Sequence, residues 1–208
     1  LLGGDGIDTL SGNSGFDRIY GGSGGDIISG GADRDLLFGE GGDDTISGDG
    51  GNDLLQGHNG EDVLDGGAGN DVVNGGAGND TLLGGDGDDI LIGNWGIDTM
   101  TGGTGADTFL FKAGHTGSYA HLADTILDFS QADGDIIDLS QIDALAGGGD
   151  DAFAFIGDAA FSGTAGELRY TATENGLMVE GDTDGDGVAD LLIAVDGLAD
   201  LTMDDFVL

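Results

Sequence analysis

The stretch GGAGNDVVNGGAGNDTLLG, Gly66–Gly84, writes nearly the same nine residues twice, and seven of its nineteen residues are glycine. Glycine loses more conformational freedom on ordering than any other residue. A chain with so little side chain to bury therefore needs a second source of stability. Extending the nine-residue frame in both directions divides the sequence from Gly3 to Leu110 into twelve nonapeptides without an insertion. Position one is glycine and position eight is apolar in every repeat, from Leu10 and Ile19 to Met100 and Phe109. Position six is always aspartate: Asp8, Asp17, Asp26, Asp35, Asp44, Asp53, Asp62, Asp71, Asp80, Asp89, Asp98 and Asp107.

The residue types predict a local structure for each position. Positions seven to nine suit a three-residue strand with its middle side chain turned inward. The six Gly- and Asp-rich residues between strands suit a turn that needs positive φ. Strand, turn, strand and turn make one coil of eighteen residues, so twelve repeats predict about six coils. The expected fold class is all-β: a right-handed parallel β-roll over residues 1–110, followed by a small, mainly antiparallel β cap over residues 111–208.

Charge decides what completes the roll. The chain of 208 residues carries 41 acids against 4 bases, a net charge of -37. Arg18, Arg34, Lys112 and Arg169 cannot form the basic footprint that nucleic acid requires, and an anionic membrane surface is disfavoured for the same reason. No apolar run approaches the length of a transmembrane segment, and the first residues show no basic-then-apolar signal peptide. Such acidity fits a disordered chain or a folded one that binds cations; the 38% apolar content and its regular placement favour the second.

Stacked coils set their aspartates about one strand spacing apart. Two bare charges at ~5 Å repel by about 0.8 kcal/mol in water and about 3 kcal/mol at an effective dielectric constant of 20. A hard divalent cation between consecutive loops reverses that sign. Calcium takes six to eight oxygens, including carbonyls that glycine turns expose, whereas magnesium demands a compact octahedron. Five gaps on each of two edges predict about ten calcium ions. With no cysteine, thiolate sites and disulfides are excluded.

GGxGxD followed by x-apolar-x resembles the RTX (hemolysin-type) nonapeptide, the calcium-binding β-roll of bacterial proteins exported by type I secretion. The resemblance covers residues 3–110 and implies calcium ligation by all twelve position-six aspartates. Departures are local: Asp33 replaces the position-four glycine, Asn13, Glu40, Asp49, His58 and Asn94 replace the second glycine, and Trp95 occupies a usually small position. Outward residues of even repeats, among them Tyr20, Leu36, Phe38, Leu54, Val72 and Ile90, form an apolar stripe expected to be covered by the C-terminal half or an upstream domain. Odd repeats present hydroxyls instead, as at Thr9, Ser29 and Thr45.

After Lys112 the repeat stops, and short apolar alternations predict strands with at most a turn or two of helix, near residues 140–146. The predicted cap core is Phe109, Phe111, Ile126, Phe129, Ile137, Leu139, Phe153, Phe155, Phe161, Leu168, Leu192 and Phe206. The phrases ADTFLF, DTILDFSQADGDIIDLSQIDA, FSGTAGELRY, GDTDGDGVADLLIAVDG and the end DDFVL resemble the C-terminal domain of serralysin-type secreted metalloproteases. That resemblance implies a last calcium site at Asp128 and Asp135, and a type I secretion signal in the final residues. Independently, Asp182, Asp184, Asp186, Gly187 and Asp190 copy positions one, three, five, six and nine of an EF-hand loop, but Ile193 stands where the bidentate glutamate belongs. The alternatives are one or two further calcium ions in this half or a plain acidic turn.

No His-Glu-x-x-His motif is present among His58, His115 and His121, and Ser162 lies outside a nucleophile elbow. The chain is therefore expected to lack catalysis. Leu1 and Leu2 fit positions eight and nine of a preceding repeat, which predicts the C-terminal part of a longer secreted, extracellular protein. Its implied partners are calcium, the type I secretion machinery and an upstream domain. That domain could equally be a zinc metalloprotease, lipase, alginate epimerase or adhesin.

Overall fold

One apolar side chain per nine residues can be buried only if successive repeats face each other across a thin interior. They do so in the computed structural model, which describes residues 1–114, 122–145 and 151–208. Odd-numbered strands form sheet A: β1 (Leu2–Asp5), β3 (Arg18–Ser23), β5 (Leu36–Gly41), β7 (Leu54–Asn59), β9 (Val72–Ala77), β11 (Ile90–Trp95) and β13 (Thr108–Lys112). Even-numbered strands form sheet B: β2 (Thr9–Ser14), β4 (Ile27–Ala32), β6 (Thr45–Gly50), β8 (Val63–Ala68), β10 (Thr81–Asp86) and β12 (Thr99–Thr104). Every neighbouring pair is parallel, with partners eighteen residues apart, as at Leu37 and Leu55 or Leu64 and Leu82. The result is a parallel β-solenoid of about six coils whose position-eight side chains, Ile19 to Phe109, are at most 1% exposed.

The strands are twice as long as predicted, running through positions one to three of the next repeat. Pairing skips the position-one glycine and resumes at positions two and three, as Leu83 with Thr101 is followed by Gly85 with Gly103. The glycine segment lies directly on its neighbour and hydrogen-bonds to it, for example through Gly51 N–H to Ala68 O at 2.8 Å. A Cβ there would prevent the approach: one placed on Gly69, at φ +133°, would collide with the Gly51 carbonyl oxygen. The six non-glycine residues with positive φ, between 68° and 75°, are Asn13, Asp33, Glu40, Asp49, His58 and Asn94. These are the six places where a repeat glycine has been replaced.

Beyond β13 both sheets continue. Strand β14 (Asp124–Ile126) adds to β12 and β15 (Ile136–Gln141) to β13, both in parallel. Then β19 (Leu191–Asp196) adds to β14, and β20 (Phe206–Val207) adds to β15. An antiparallel extension of sheet B runs from β17 (Glu167–Ala172) through β18 (Gly176–Asp182) to β19, with the short β16 (Ala154–Phe155) beside β17.

A single apolar cluster passes from Ile19 through Phe109, Ile137 and Leu168 to Phe206. Most of the predicted cap core lies in it. Leu192 packs instead with Ala123 and Met178, and Phe161 lies half-buried with the Arg169 guanidinium 4.3 Å from its ring centre. Arg169 is also ion-paired with Glu180 at 2.6 Å. Ser140 and Gln141 end β15 rather than starting a helix; residues 142–145 are bends or irregular, and residue 146 lies outside the described residues. The helical piece described is a 3-10 turn, Met203–Asp205, and among the described residues no helix is long and apolar enough to cross a membrane.

Candidate metal centre

Each position-six aspartate stands where a turn enters a strand, so the coil repeat stacks them in two rows. Asp8, Asp26, Asp44, Asp62, Asp80 and Asp98 lead into sheet B, and Asp17, Asp35, Asp53, Asp71, Asp89 and Asp107 into sheet A. Within each row one carboxylate oxygen is used for stacking. Asp62 Oδ1 accepts the Asp44 N–H at 2.8 Å, Asp80 Oδ1 accepts that of Asp62 at 2.9 Å, and the same bond recurs along both rows. Asp26 through Asp107 are at most 3% exposed.

The other oxygen has no partner. Oδ2 of Asp8, Asp26, Asp35, Asp44, Asp53, Asp62, Asp71, Asp80, Asp89, Asp98 and Asp107 is buried without a hydrogen bond. Buried polar atoms in folded proteins are otherwise almost always satisfied, and an unpaired buried charge is costlier still. Burial is the largest influence on the carboxyls of Asp35, Asp44, Asp53, Asp62, Asp71, Asp80, Asp89, Asp98 and Asp107, and it raises all of them. It holds Asp80 and Asp89 up at about 7, and Asp53, Asp62, Asp98 and Asp107 at about 6. The N–H bond from the preceding coil opposes the rise, while neighbouring carboxylates add to it at all of these but Asp98.

The surroundings of Oδ2 fit a hard cation. A Cβ on Gly30 would stand 2.6 Å from Asp35 Oδ2 and 3.0 Å from the Gly48 carbonyl oxygen. On Gly66 the corresponding distances, to Asp71 Oδ2 and the Gly84 oxygen, are both 2.6 Å. The position-one glycine thus leaves open a small hollow into which a carboxylate of its own repeat and a carbonyl of the next coil both project. The donors are all oxygens, which suits calcium or magnesium rather than a softer metal.

A chain matched from residue 2 to residue 109 by six overlapping copies of the RTX calcium-binding nonapeptide repeat profile has more than half its length in that pattern. This chain belongs to the RTX calcium-binding repeat family. It is therefore a calcium-binding parallel β-roll protein. No curated protein sequence matches it. Among solved structures, the AlgE6R3 subunit of the Azotobacter vinelandii mannuronan C5-epimerase is similar over 85% of this chain and 78% of its own, at 24% identity and a TM-score of 0.34. That likeness is too loose to bear on fold or function.

The remaining predicted ligands of this RTX chain are differently placed. Asp135 joins the sheet A row by accepting Asp107 N–H, but its Oδ2 accepts Ser130 N–H at 2.8 Å. Asp128 stands outside the rows and accepts the N–H groups of Gly102 and Gly103, both at 2.9 Å. Ligand atoms of Asp182, Asp184 and Asp190 lie within 4.8 Å of one another, without Asp186. Here Asp182 accepts the N–H groups of Gly185 and Gly187, and Asp190 accepts Thr183 N–H and its hydroxyl. His115 and His121 lie outside the described residues, and His58 is exposed on sheet A.

Two features escaped the sequence reading. Asp124 extends the sheet B row, accepting Asp98 N–H at 2.9 Å, and burial pushes its carboxyl up to about 8. Its signal was Asp124-Thr125-Ile126, which copies positions six to eight but arrives 26 residues after Asp98 rather than eighteen. The second is a row at position five. Asp43, Asn52, Asn79 and Asp88 each accept, through Oδ1, the N–H of the residue eighteen further on.

Proposed function

We propose that this RTX chain is a calcium-triggered folding module of a larger extracellular bacterial protein exported by type I secretion. The observation that carries this reading is the row of eleven buried Oδ2 atoms without partners in a chain of net charge -37. The twelve position-six aspartates and the carbonyls of position-one glycines hold about ten calcium ions, five along each edge. Calcium, when bound, supplies the positive charge that lets carboxylates of adjacent coils lie close together in a dry edge.

Without that charge the chain must bury acids in rows, and repulsion along each row favours the unfolded state. Ligand that binds only the folded roll then stabilises it by mass action, so calcium concentration sets the folded fraction. On this reading the chain stays extended in a low-calcium cytosol, passes the type I secretion machinery, and folds outside beside an upstream domain. On the same reading the chain has no reaction of its own. In the C-terminal half the N–H donors already on Asp128, Asp135 and Asp182 would compete with a cation, so the reading centres on the roll.

Far-ultraviolet circular dichroism tests it. The chain is expected to be largely unfolded in chelator at pH 8 and to gain β signal cooperatively on adding millimolar calcium, with little response to magnesium. A full β signal in chelator at that pH would overturn the trigger.

A further inference from the structure

Between Asp5 on β1 and Asp138 on β15, the outer face of sheet A carries little acidity. Strands β3, β5, β7, β9, β11 and β13 contain one acid, Glu40, although the whole chain has 41. In their place stand Leu36, Leu54, Val72 and Ile90 in one stacked row, with Tyr20 and Phe38 in the next, their rings 4.8 Å apart. Among the described residues, the elements packed on β5 and β7 are all strands of the roll, so the C-terminal half does not cover this stripe.

The charges on these strands are Arg18, in register with Leu36, and Glu40 and Lys112. Glu40 borders a cavity of about 400 Å³ with Tyr20 and Gly22 near the N-terminal end. Lys112 lies near the other, where its ammonium donates to Asn94 Oδ1 and Asn94 donates to Asn74 Oδ1. Glu40, His58, Gly76, Asn94 and Lys112 occupy one row at successive strands, so Glu40 and Lys112 are equally distant from Gly76.

We propose that this face is the docking surface for a second copy of the chain, with the two rolls antiparallel and their two-fold axis along β9. That symmetry sets Glu40 of each copy opposite Lys112 of the other, Val72 opposite Val72, Leu54 opposite Ile90 and Phe38 opposite Leu110. A two-fold axis along the roll instead sets Glu40 opposite Leu36, one strand from Arg18, and leaves Lys112 opposite Thr108 without a charged partner. The outer face of sheet B presents hydroxyls such as Thr45, Ser47 and Thr81, with Asp49, Asp65 and Asp86 among them and no apolar stripe flanked by opposite charges. The face spans about seven strands by five residues, or ~500 Å² per copy. A total near 1,000 Å² is at the low end of specific interfaces and predicts a weak, concentration-dependent dimer.

Sedimentation velocity in saturating calcium, from 1 µM to 1 mM chain, tests the proposal. The mass should double across that range. Glu40→Lys and Lys112→Glu should each weaken association about tenfold, since each dimer contains the pair twice, and the double exchange should restore it. Because the chain has no cysteine, Val72→Cys treated with a short bis-maleimide should give dimers, while Ser47→Cys on sheet B should not. Circular dichroism of each variant in calcium identifies any that has not folded, and the cross-linking pair then decides alone. A monomer at 1 mM, a double exchange that fails to restore dimers, or equal cross-linking at Val72 and Ser47 would each overturn it.

Discussion

Asp62 uses its two carboxylate oxygens in opposite ways: Oδ1 accepts the N–H of Asp44, eighteen residues earlier, at 2.8 Å, and Oδ2 is buried with no hydrogen-bond partner. The same division recurs along each row, and on the proposed function it separates stacking of coils from cation binding. Stacking needs only an acceptor, which an amide can supply. Cation binding needs the charge.

Asp62→Asn separates the two roles. The amide oxygen keeps the Asp44 N–H bond, while an NH2 group replaces the charged oxygen. A calcium titration followed by circular dichroism should show the folding midpoint moved up roughly three- to tenfold, the equivalent of about 0.7–1.4 kcal/mol. Calorimetry should count one or two fewer ions. An unchanged midpoint would remove Asp62 from the ligand set.

The calcium-free roll should be an acid-stable fold. Burial raises the folded-state values of Asp53, Asp62, Asp98 and Asp107 to about 6 and of Asp80 and Asp89 to about 7, above the ordinary value of 3.8. Between these limits the folded chain binds more protons than the unfolded one. Its stability in chelator is therefore full below about pH 4 and is lost as pH rises through 6 to 7. Circular dichroism in chelator should show more β structure at pH 5 than at pH 8. With calcium present the trend inverts, because protons and cation compete for the same oxygens. Calorimetry at pH 6.5 in buffers of different ionisation enthalpy should detect proton release on binding.

Backbone substitutions should act in opposite directions at Gly69, in a bend, and at His58, in β7. Gly69→Ala places a methyl group against the Gly51 carbonyl at φ +133° and should cost at least about 2 kcal/mol. His58→Gly removes a side chain held at φ 74° and should stabilise by about 1 kcal/mol, less whatever its stacking on Phe38 contributes. Thermal unfolding in saturating calcium measures both.

Leu55→Ala empties a fully buried site in a core only one side chain deep per repeat. A loss of about 2–5 kcal/mol is expected. Since each coil contacts only its neighbours, hydrogen exchange should rise most around β5, β7 and β9.

Positions one, four, six and eight were readable because an uninterrupted nine-residue period lets twelve observations support one assignment. Val73 and Leu82 lie in the core and Asp71 and Asp80 in the rows, as their repeat positions require. Strand length was not readable, because glycine at positions one and two suggests a turn to any local rule. Only stacking on another coil carries the strand through Gly66 and pairs Gly67 with Gly85. The position-five row was missed because its members vary among Asp, Asn, Glu and apolar residues. Asp124 was missed because the interval before it breaks the period. The two C-terminal strands that lengthen both sheets were hidden for a similar reason: nothing in DLLIAVDG or DDFVL shows which strand each will join.

The hydrogen bonds of the aspartate rows also have a direction. Every donor N–H finds its acceptor one coil downstream: Asp44 in Asp62, Asp80 in Asp98, Asp98 in Asp124 and Asp107 in Asp135. A coil laid down on the C-terminal side thus presents ready-made acceptors to the next, much as a crystal face presents sites to arriving molecules. Asp124 and Asp135 are the last acceptors of the two rows, so each row ends in the C-terminal half rather than in the twelve repeats.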